Sequence, residues 1–245
     1  DESESTCGSY SAPSGTSVAW VWNAGSATVT NDASSTGIGS IDSTYRANTT
    51  AGFSIVTWTG TGGAGTVAHG LNATPGLILC KVRESAIQWV TYHSAFGDGY
   101  YDPGLNTNNA ANAAGGYWGS GTTNTNVFGL QAASGGNNKT GEGVVAYCWS
   151  EVEGYSKFSS YEGNDLSDGP FVWCGFKPAF VMIKRYNTTG SWMILDSARN
   201  PENLVNHKLA PNEEEEEDNN SIVGDGDKNS ADFLSNGFKL RSTNG

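Results

Sequence analysis

The sequence predicts an all-β protein of tandem antiparallel β-sandwich repeats, jelly-roll-like, with the final repeat truncated. Three observations carry this expectation. Apolar residues come in short bursts stopped by Gly, Asn or Pro, the mark of strands and turns rather than helices. The 245 residues include 33 Gly, with 16% charged and 11% aromatic, a balance that suits many short strands and leaves little helix-forming sequence between them. The chain also matches itself, and an internal match identifies the structural unit before any propensity is considered.

The unit opens at Gly52-Phe53-Ser54, which recurs as Gly154-Tyr155-Ser156; after a one-residue slip, Trp58-Thr59-Gly60 recurs as Tyr161-Glu162-Gly163. From there the offset is 103 residues. Pro75-Gly76-Leu77-Ile78-Leu79-Cys80-Lys81 pairs with Pro178-Ala179-Phe180-Val181-Met182-Ile183-Lys184, and the segment from Trp89 to Ala95 pairs with that from Trp192 to Ala198. The first copy closes with Phe128-Gly129-Leu130 and the run Val144 to Trp149, whereas the second reaches Phe238-Lys239-Leu240. Val18-Ala19-Trp20-Val21-Trp22 matches Val145-Ala146-Tyr147-Cys148-Trp149, so the opening residues read as the tail of a preceding copy. The expected division is 1–51, the end of a preceding repeat plus a connection; 52–153, the first copy; and 154–245, an incomplete second copy. The continuous apolar runs at 77–80 and 180–183 predict strands buried on both faces, while Phe53, Ile55 and Thr57 alternate with Ser54 and Val56. Two packed antiparallel sheets bury such strands without helices.

The connection from Trp89 to Phe128 is shorter than its counterpart from Trp192 to Phe238, which marks a loop region. In the first copy it carries Tyr100, Tyr101, Tyr117 and Trp118. Tyr and Trp present apolar faces with polar tips, suited to sugar rings or protein partners, so these four are the candidate binding residues; the bland alternative is that Trp118 covers the sandwich edge. The second connection carries an acidic run at 213–218. Asp225, Asp227 and Asn229 have the alternate spacing that opens a calcium loop, but Ser230 stands where the turn Gly belongs and Asn236 where the bidentate Glu belongs. A solvated loop is favoured over a metal site there, and no cofactor is expected.

Longer strings carry a resemblance. GFSIVTWTGTG at 52–62, HGL at 69–71, the Pro-led strand ending in Lys81, VVAYCWSEVEGYSKFSSYEGN at 144–164, DGPFVWCGFKPAFVMIKR at 168–185 and DFLSNGFKLRSTNG at 232–245 resemble a domain of tail-fibre-like and other virion structural proteins of marine tailed phages, cyanophages in particular. The resemblance covers nearly the whole chain. It implies a virion component located in the tail, of extracellular type: a tail fibre or receptor-binding appendage that contacts host-surface glycan or protein. By analogy such a component assembles as a homo-oligomer, a trimer, with other virion proteins. The alternatives are a connector or decoration protein without receptor contact, a polysaccharide-cleaving tailspike, or a bacterial adhesin. The family brings no catalytic motif, so the chain is expected not to be an enzyme.

Charge and single residues narrow the field further. A formal charge of -12, from 25 acidic and 13 basic residues, is the opposite of the Lys/Arg-rich surface that holds nucleic acid. No apolar run approaches the roughly 20 residues of a membrane-crossing helix, so no membrane insertion is expected. Cys80 and Cys148 match Ile183 and Val21, positions that accept aliphatic residues, so the cysteines, Cys7 and Cys174 included, read as packed thiols rather than disulfides. His93 matches Asp196, and it forms no metal-ligand set with His69 and His207. Glu151 and Glu153 stand two apart, a spacing too common in an acidic chain to mark a glycosidase pair. The sequons at Asn48, Asn72, Asn138, Asn187 and Asn219 follow from composition. Trp20, Trp22, Trp89, Trp149 and Trp192 lie in matched strands and are expected to be core or inter-repeat contacts.

Overall fold

The computed structural model describes residues 18–96, 104–111, 116–119, 121–132, 136–214, 217 and 230–241. In chain order the elements are β1 (Thr28–Asn31), the single-turn helix α1 (Ala33–Thr36), β2 (Ser43–Asn48), β3 (Phe53–Thr59), β4 (Gly65–Ala68), β5 (Pro75–Val82), β6 (Val90–His93), a 3-10 turn (Ser94–Phe96), β7 (Val127–Leu130), β8 (Gly143–Ser150), β9 (Phe171–Trp173), β10 (Phe180–Ile183), β11 (Met193–Asp196), β12 (Ala231–Leu234) and β13 (Gly237–Leu240). The fold is almost all-β, with several small antiparallel sheets. The largest has the order β1-β2-β3-β8-β5-β6, and the others are β4-β7, β10-β11 and β12-β13-β9. The one α-helix among the described residues lasts one turn because Asp32 caps it, accepting from the Ser34 and Ser35 amides, and Gly37 turns left-handed at its end.

The first core lies between the six-stranded sheet and the β4-β7 pair. Strand side chains alternate between faces. Val56 and Trp58 of β3, Ile78, Cys80 and Val82 of β5, Val90 and Tyr92 of β6, and Val144, Ala146 and Cys148 of β8 therefore point one way, against Val67, Phe128 and Leu130. Leu77, Leu79, Tyr147 and Trp149 point the other way and are half-buried. The expectation of burial on both faces at 77–80 is corrected by this alternation. The β4-β7 layer covers one face only, and the other is screened by aromatic rings. At 180–183 only Val181 is buried.

The pairings of the first half recur in the second. Leu77 faces His93 and Cys80 faces Val90; Phe180 faces Asp196 and Ile183 faces Met193, the same registers displaced along the chain. Val67 faces Phe128 across β4-β7, and Val172 faces Phe238 across β9-β13. Trp58 packs edge-on to Phe128 as Tyr161 does to Phe238. Even a loop contact repeats: the Asn106 carboxamide accepts from the Trp89 amide, and Asn212 from the Trp192 amide, both at 2.9 Å. A slip of one residue would turn every side chain to the opposite face. The shared register is therefore what lets Val172, Val181, Met193, Leu195, Phe238 and Leu240 gather into a second core. The halves also differ. Residues 155–161, which match β3, form no strand, and among the described residues β10 pairs only with β11.

Two positions show how the turns are held. Asn138 is buried; its Oδ1 accepts from the Thr61 amide at 2.9 Å and the Trp58 indole at 3.4 Å, and its Nδ2 donates to Thr61 Oγ1 at 3.0 Å and the Gly63 carbonyl at 2.7 Å. This sequon asparagine is a structural residue with no room for a glycan. Gly70 (φ 71) and Gly175 (φ 85) follow β4 and β9 in matched left-handed turns, a conformation that penalises any Cβ. At Gly70 the Cβ would also enter the Tyr45 ring. Gly70→Ala is expected to lower unfolding free energy in urea by about 1–3 kcal/mol; an unchanged midpoint would show that the turn relaxes.

Candidate functional site

Tyr100, Tyr101, Asp225, Asp227 and Asn229 lie outside the described residues, as do Cys7 and Asn219. Trp118 is a core residue, 2% exposed. Its indole donates to the Thr91 carbonyl at 3.0 Å, and its ring packs edge-on to Tyr92 and Phe128 at 5.6 and 6.1 Å. Tyr117, half-buried, packs against the same core and closely over Gly136. Trp118 thus closes the space between sheets, and no face of its ring is turned to solvent. Cys80 and Cys148 are buried and Cys174 half-buried, none of them in a disulfide; burial pushes the Cys148 thiol well above its ordinary value.

The described part of the first connection joins the two halves of the chain. The Trp192 indole donates to the Gly104 carbonyl at 3.0 Å, the Ala111 amide to the Tyr186 carbonyl at 2.7 Å, and the Gly190 amide to the Asn108 carbonyl at 2.9 Å. Phe96 leans on Tyr186 with ring centroids 5.2 Å apart. Trp192 is therefore an inter-repeat contact.

Close by, Asp196 gathers a network that sequence reasoning missed. Its Oδ1 accepts from the Ala198 and Arg199 amides at 3.1 and 2.9 Å, and its Oδ2 from Arg199 Nε at 2.7 Å and the Trp20 indole at 3.3 Å. Arg199 extends to Glu217 at 2.9 Å, and His207 Nδ1 lies 3.1 Å from the same carboxylate. Burial acts to raise the Asp196 carboxyl, but the Arg199 hydrogen bonds and charge, with the Trp20 indole, hold it below the usual carboxylate range. Only the Asp-x-x-Arg spacing hinted at the pair. Asp196→Asn takes the more deeply buried of its two carboxylates from the Arg199 guanidinium, 9% exposed, and leaves it only the half-exposed Glu217. It is expected to lower stability by about 2 kcal/mol in denaturant titrations at neutral pH.

On the outer face of the large sheet the alternating side chains form an aromatic stripe. Trp89 stacks on Tyr147 at 6.2 Å, Tyr147 meets Trp149 at 6.5 Å, and Trp149 meets Phe53 at 5.0 Å and Trp22 at 5.6 Å. Trp22 and Trp20 then reach Phe180 on β10, at 6.0 and 5.8 Å. Phe53 is buried beneath its neighbours, while the Trp and Tyr rings of the stripe keep partly open faces. Half-exposed indole and phenol faces can stack on sugar rings or apolar partner surfaces. The signal in the sequence was the alternation of Tyr147 and Trp149 with the small Ala146 and Cys148 along one strand.

The remaining polar candidates have local partners. Glu151 pairs with Lys157 at 2.8 Å and accepts from the Phe158 amide. Glu213 bonds Ser191 and lies 4.0 Å from Lys208. His69 is fully buried, and His93 packs between Phe96 and Phe158, where burial lowers its basicity. No cluster of three His, Cys, Asp or Glu side chains with metal-binding geometry occurs among the described residues. A family model described as "Domain of unknown function (DUF7483)" matches residues 2–245. No curated protein and no solved structure matches the chain.

Proposed function

The chain belongs to the DUF7483 family, and we propose that it is a structural component of a phage virion, a tail fibre or receptor-binding appendage that contacts the host surface. The observation that carries this reading is the recurrence of the same strand registers in two consecutive units joined by the first unit's own connection. Repeated units that contact their neighbours set length by number and present the same face periodically. Weak contacts made by such a face sum through multivalency. The resemblance of the strings at 52–62, 144–164 and 168–185 to virion proteins of marine tailed phages supplies the biological setting.

In this reading each unit is a jelly-roll-like β-sandwich repeat, with copies at 52–153 and 154–245. The appendage is non-enzymatic, assembles as a homo-oligomeric trimer and is fixed in the virion tail. Host glycan stacks on the aromatic stripe, with Trp22, Tyr147 and Trp149 offering ring faces. The test is gold-labelled antibody against the chain on intact virions. Labelled tail fibres and antibody-blocked adsorption are expected. Label confined to the capsid or tail tube would favour a connector or decoration protein, and release of reducing sugar from host envelope by the purified chain would favour a tailspike; either result rejects the proposal.

A further inference from the structure

We infer that the outer face of β9 is a carbohydrate-binding platform, on which Phe171 and Trp173 stack the sugar rings of a neutral oligosaccharide while Asp168 and Lys239 hydrogen-bond its hydroxyls. The site is distinct from the aromatic stripe and stands whether or not the chain is a virion protein. Strand alternation builds it. Val172 enters the second core, so its neighbours Phe171 and Trp173 point outward, where they are 43% and 61% exposed. Residues two apart on a strand stand about 7 Å from each other on one face. Each ring leans over a glycine: a Cβ at Gly237 would stand 2.9 Å from Phe171 Cζ, and one at Gly175 3.2 Å from Trp173 Cζ2. The first unit has no such pair. The matched registers of Val67 with Phe128 and of Val172 with Phe238 put Thr66 and Ala68 in the places of Phe171 and Trp173. There the strand edge is also occupied, since the Ser40 and Ile41 amides both donate to the Thr66 carbonyl, at 2.9 and 3.1 Å. The two rings are therefore a feature of the second unit and not a requirement of the shared fold.

The polar half of the site stands beside Phe171. Lys239 is directly opposite Phe171 across β13 and β9, and opposed residues share a face. Its Nζ donates to the Gly169 carbonyl at 2.8 Å and lies 3.0 Å from Asp168 Oδ1, which engages two of the three ammonium protons. Arg241 Nη1 donates to the same Oδ1 at 3.2 Å, and its Nε to Asp232 at 2.7 Å. Asp168 Oδ2 is left without a donor among the described residues, on a side chain 79% exposed. The hydrogen bond and charge of Lys239, with the charge of Arg241, hold this carboxyl below the usual carboxylate range, so it remains an ionised acceptor. One open N–H and one open carboxylate oxygen complement a pair of adjacent hydroxyls, and the C–H face of a sugar ring matches an aromatic face. Charge and area select the occupant. Lys239 and Arg241 are each paired with a carboxylate already, and the chain carries a net charge of -12, so an anionic sugar finds no unpaired cation here. The exposed parts of two aromatic side chains amount to roughly 200 Å², well below the roughly 800 Å² per partner of a stable protein interface. That suits one or two sugar rings rather than a second copy of the chain.

The test is a nuclear magnetic resonance titration of the isotope-labelled 245-residue chain with three neutral hexasaccharides, cellohexaose, maltohexaose and mannohexaose, and with hexagalacturonate as an anionic counterpart. Saturable shifts of the Trp173 indole N–H and of the amides of 171–173 are expected with at least one neutral probe. Trp173→Ala alters an exposed residue, so the fold is retained; followed at the Val172 amide, it should weaken that binding by about tenfold or more. Trp173→Phe should keep most of the affinity, and Asp168→Ala should lower it with little change in the urea midpoint. Absence of a saturable shift at 171–173 with every neutral probe overturns the inference, as does tighter binding of hexagalacturonate. Shifts confined to Trp22, Tyr147 and Trp149 overturn it while supporting glycan binding at the stripe. Shifts at Trp173 that grow with protein concentration alone would assign the face to a second copy and overturn it as well.

Discussion

Trp118→Ala is expected to remove about 3–5 kcal/mol of unfolding free energy, the largest loss foreseen for a single substitution in this chain. Three effects add. The change leaves a cavity between the six-stranded sheet and the β4-β7 pair, where Trp118 meets Tyr92 and Phe128 edge-on. It removes the favourable geometry of those ring pairs. It also deprives the buried Thr91 carbonyl of its indole donor, a hydrogen bond worth about 1 kcal/mol net. Urea unfolding followed by tryptophan fluorescence and by far-ultraviolet circular dichroism would measure the loss. Trp118→Phe, which keeps most of the volume but not the N–H, should lie between the two. A loss below about 1 kcal/mol for the alanine variant would mean that the connection around Trp118 collapses to refill the space.

The second large effect is a pH dependence set by one histidine. His69 is fully buried between β4 and Leu71, stacked over Phe128 at 6.4 Å. Its Nε2–H donates to the Asn124 carbonyl at 3.1 Å, and its Nδ1 accepts from the Leu71 amide at 3.2 Å. Both nitrogens are thus used by the neutral ring, and a second proton would point at another N–H. Burial lowers the pKa from 6.5 to about 4, against the smaller opposing effect of the Asn124 carbonyl. The unfolded chain takes up this proton near pH 6.5, whereas the folded chain resists until about pH 4. The unfolded state therefore binds more protons between those values. The His69 contribution is fully present above pH 6.5 and is lost progressively down to about pH 4, a loss of about 3 kcal/mol. Urea midpoints across this range should show that slope, and His69→Gln, less stable at neutral pH, should flatten it. His93, also lowered by burial, adds a slope of the same sign that both proteins share, so their difference isolates His69. Equal slopes in the two proteins would assign the effect elsewhere.

The strands and their pairing were legible because the internal match is itself a record of register. Leu77 and Phe180, or His93 and Asp196, align in sequence and occupy the same rung of equivalent hairpins. Cys80 and Cys148 could be placed in the core because their counterparts are Ile183 and Val21, and the sheet buries both. Trp118 was harder. It lies in a Gly- and Asn-rich connection with no matched partner, where no periodicity assigns it a face, and an aromatic residue in such a stretch reads equally well as a binding residue or a core lid. The run at 77–80 was read as doubly buried because Leu77 and Leu79 are as apolar as Ile78 and Cys80. What covers their face is a row of rings contributed by β3, β8 and the segment at 18–22, and no local pattern reports a cover assembled from distant segments.

By itself, then, the sequence determined what is local or repeated: short strands from bursts of β-branched and aromatic residues, turns from Gly and Asn, and two copies of one pairing scheme, since each strand's period and register are written in its own residues. Tertiary structure alone decided which face of each strand meets the core, which aromatic rings stay open, and which carboxylate is held by a guanidinium. Asp196 and Arg199 are three residues apart, but the Trp20 indole and Glu217 that complete their network come from opposite ends of the chain. Such outcomes depend on which layers pack together, and packing is a property of the assembled sheets rather than of any segment within them.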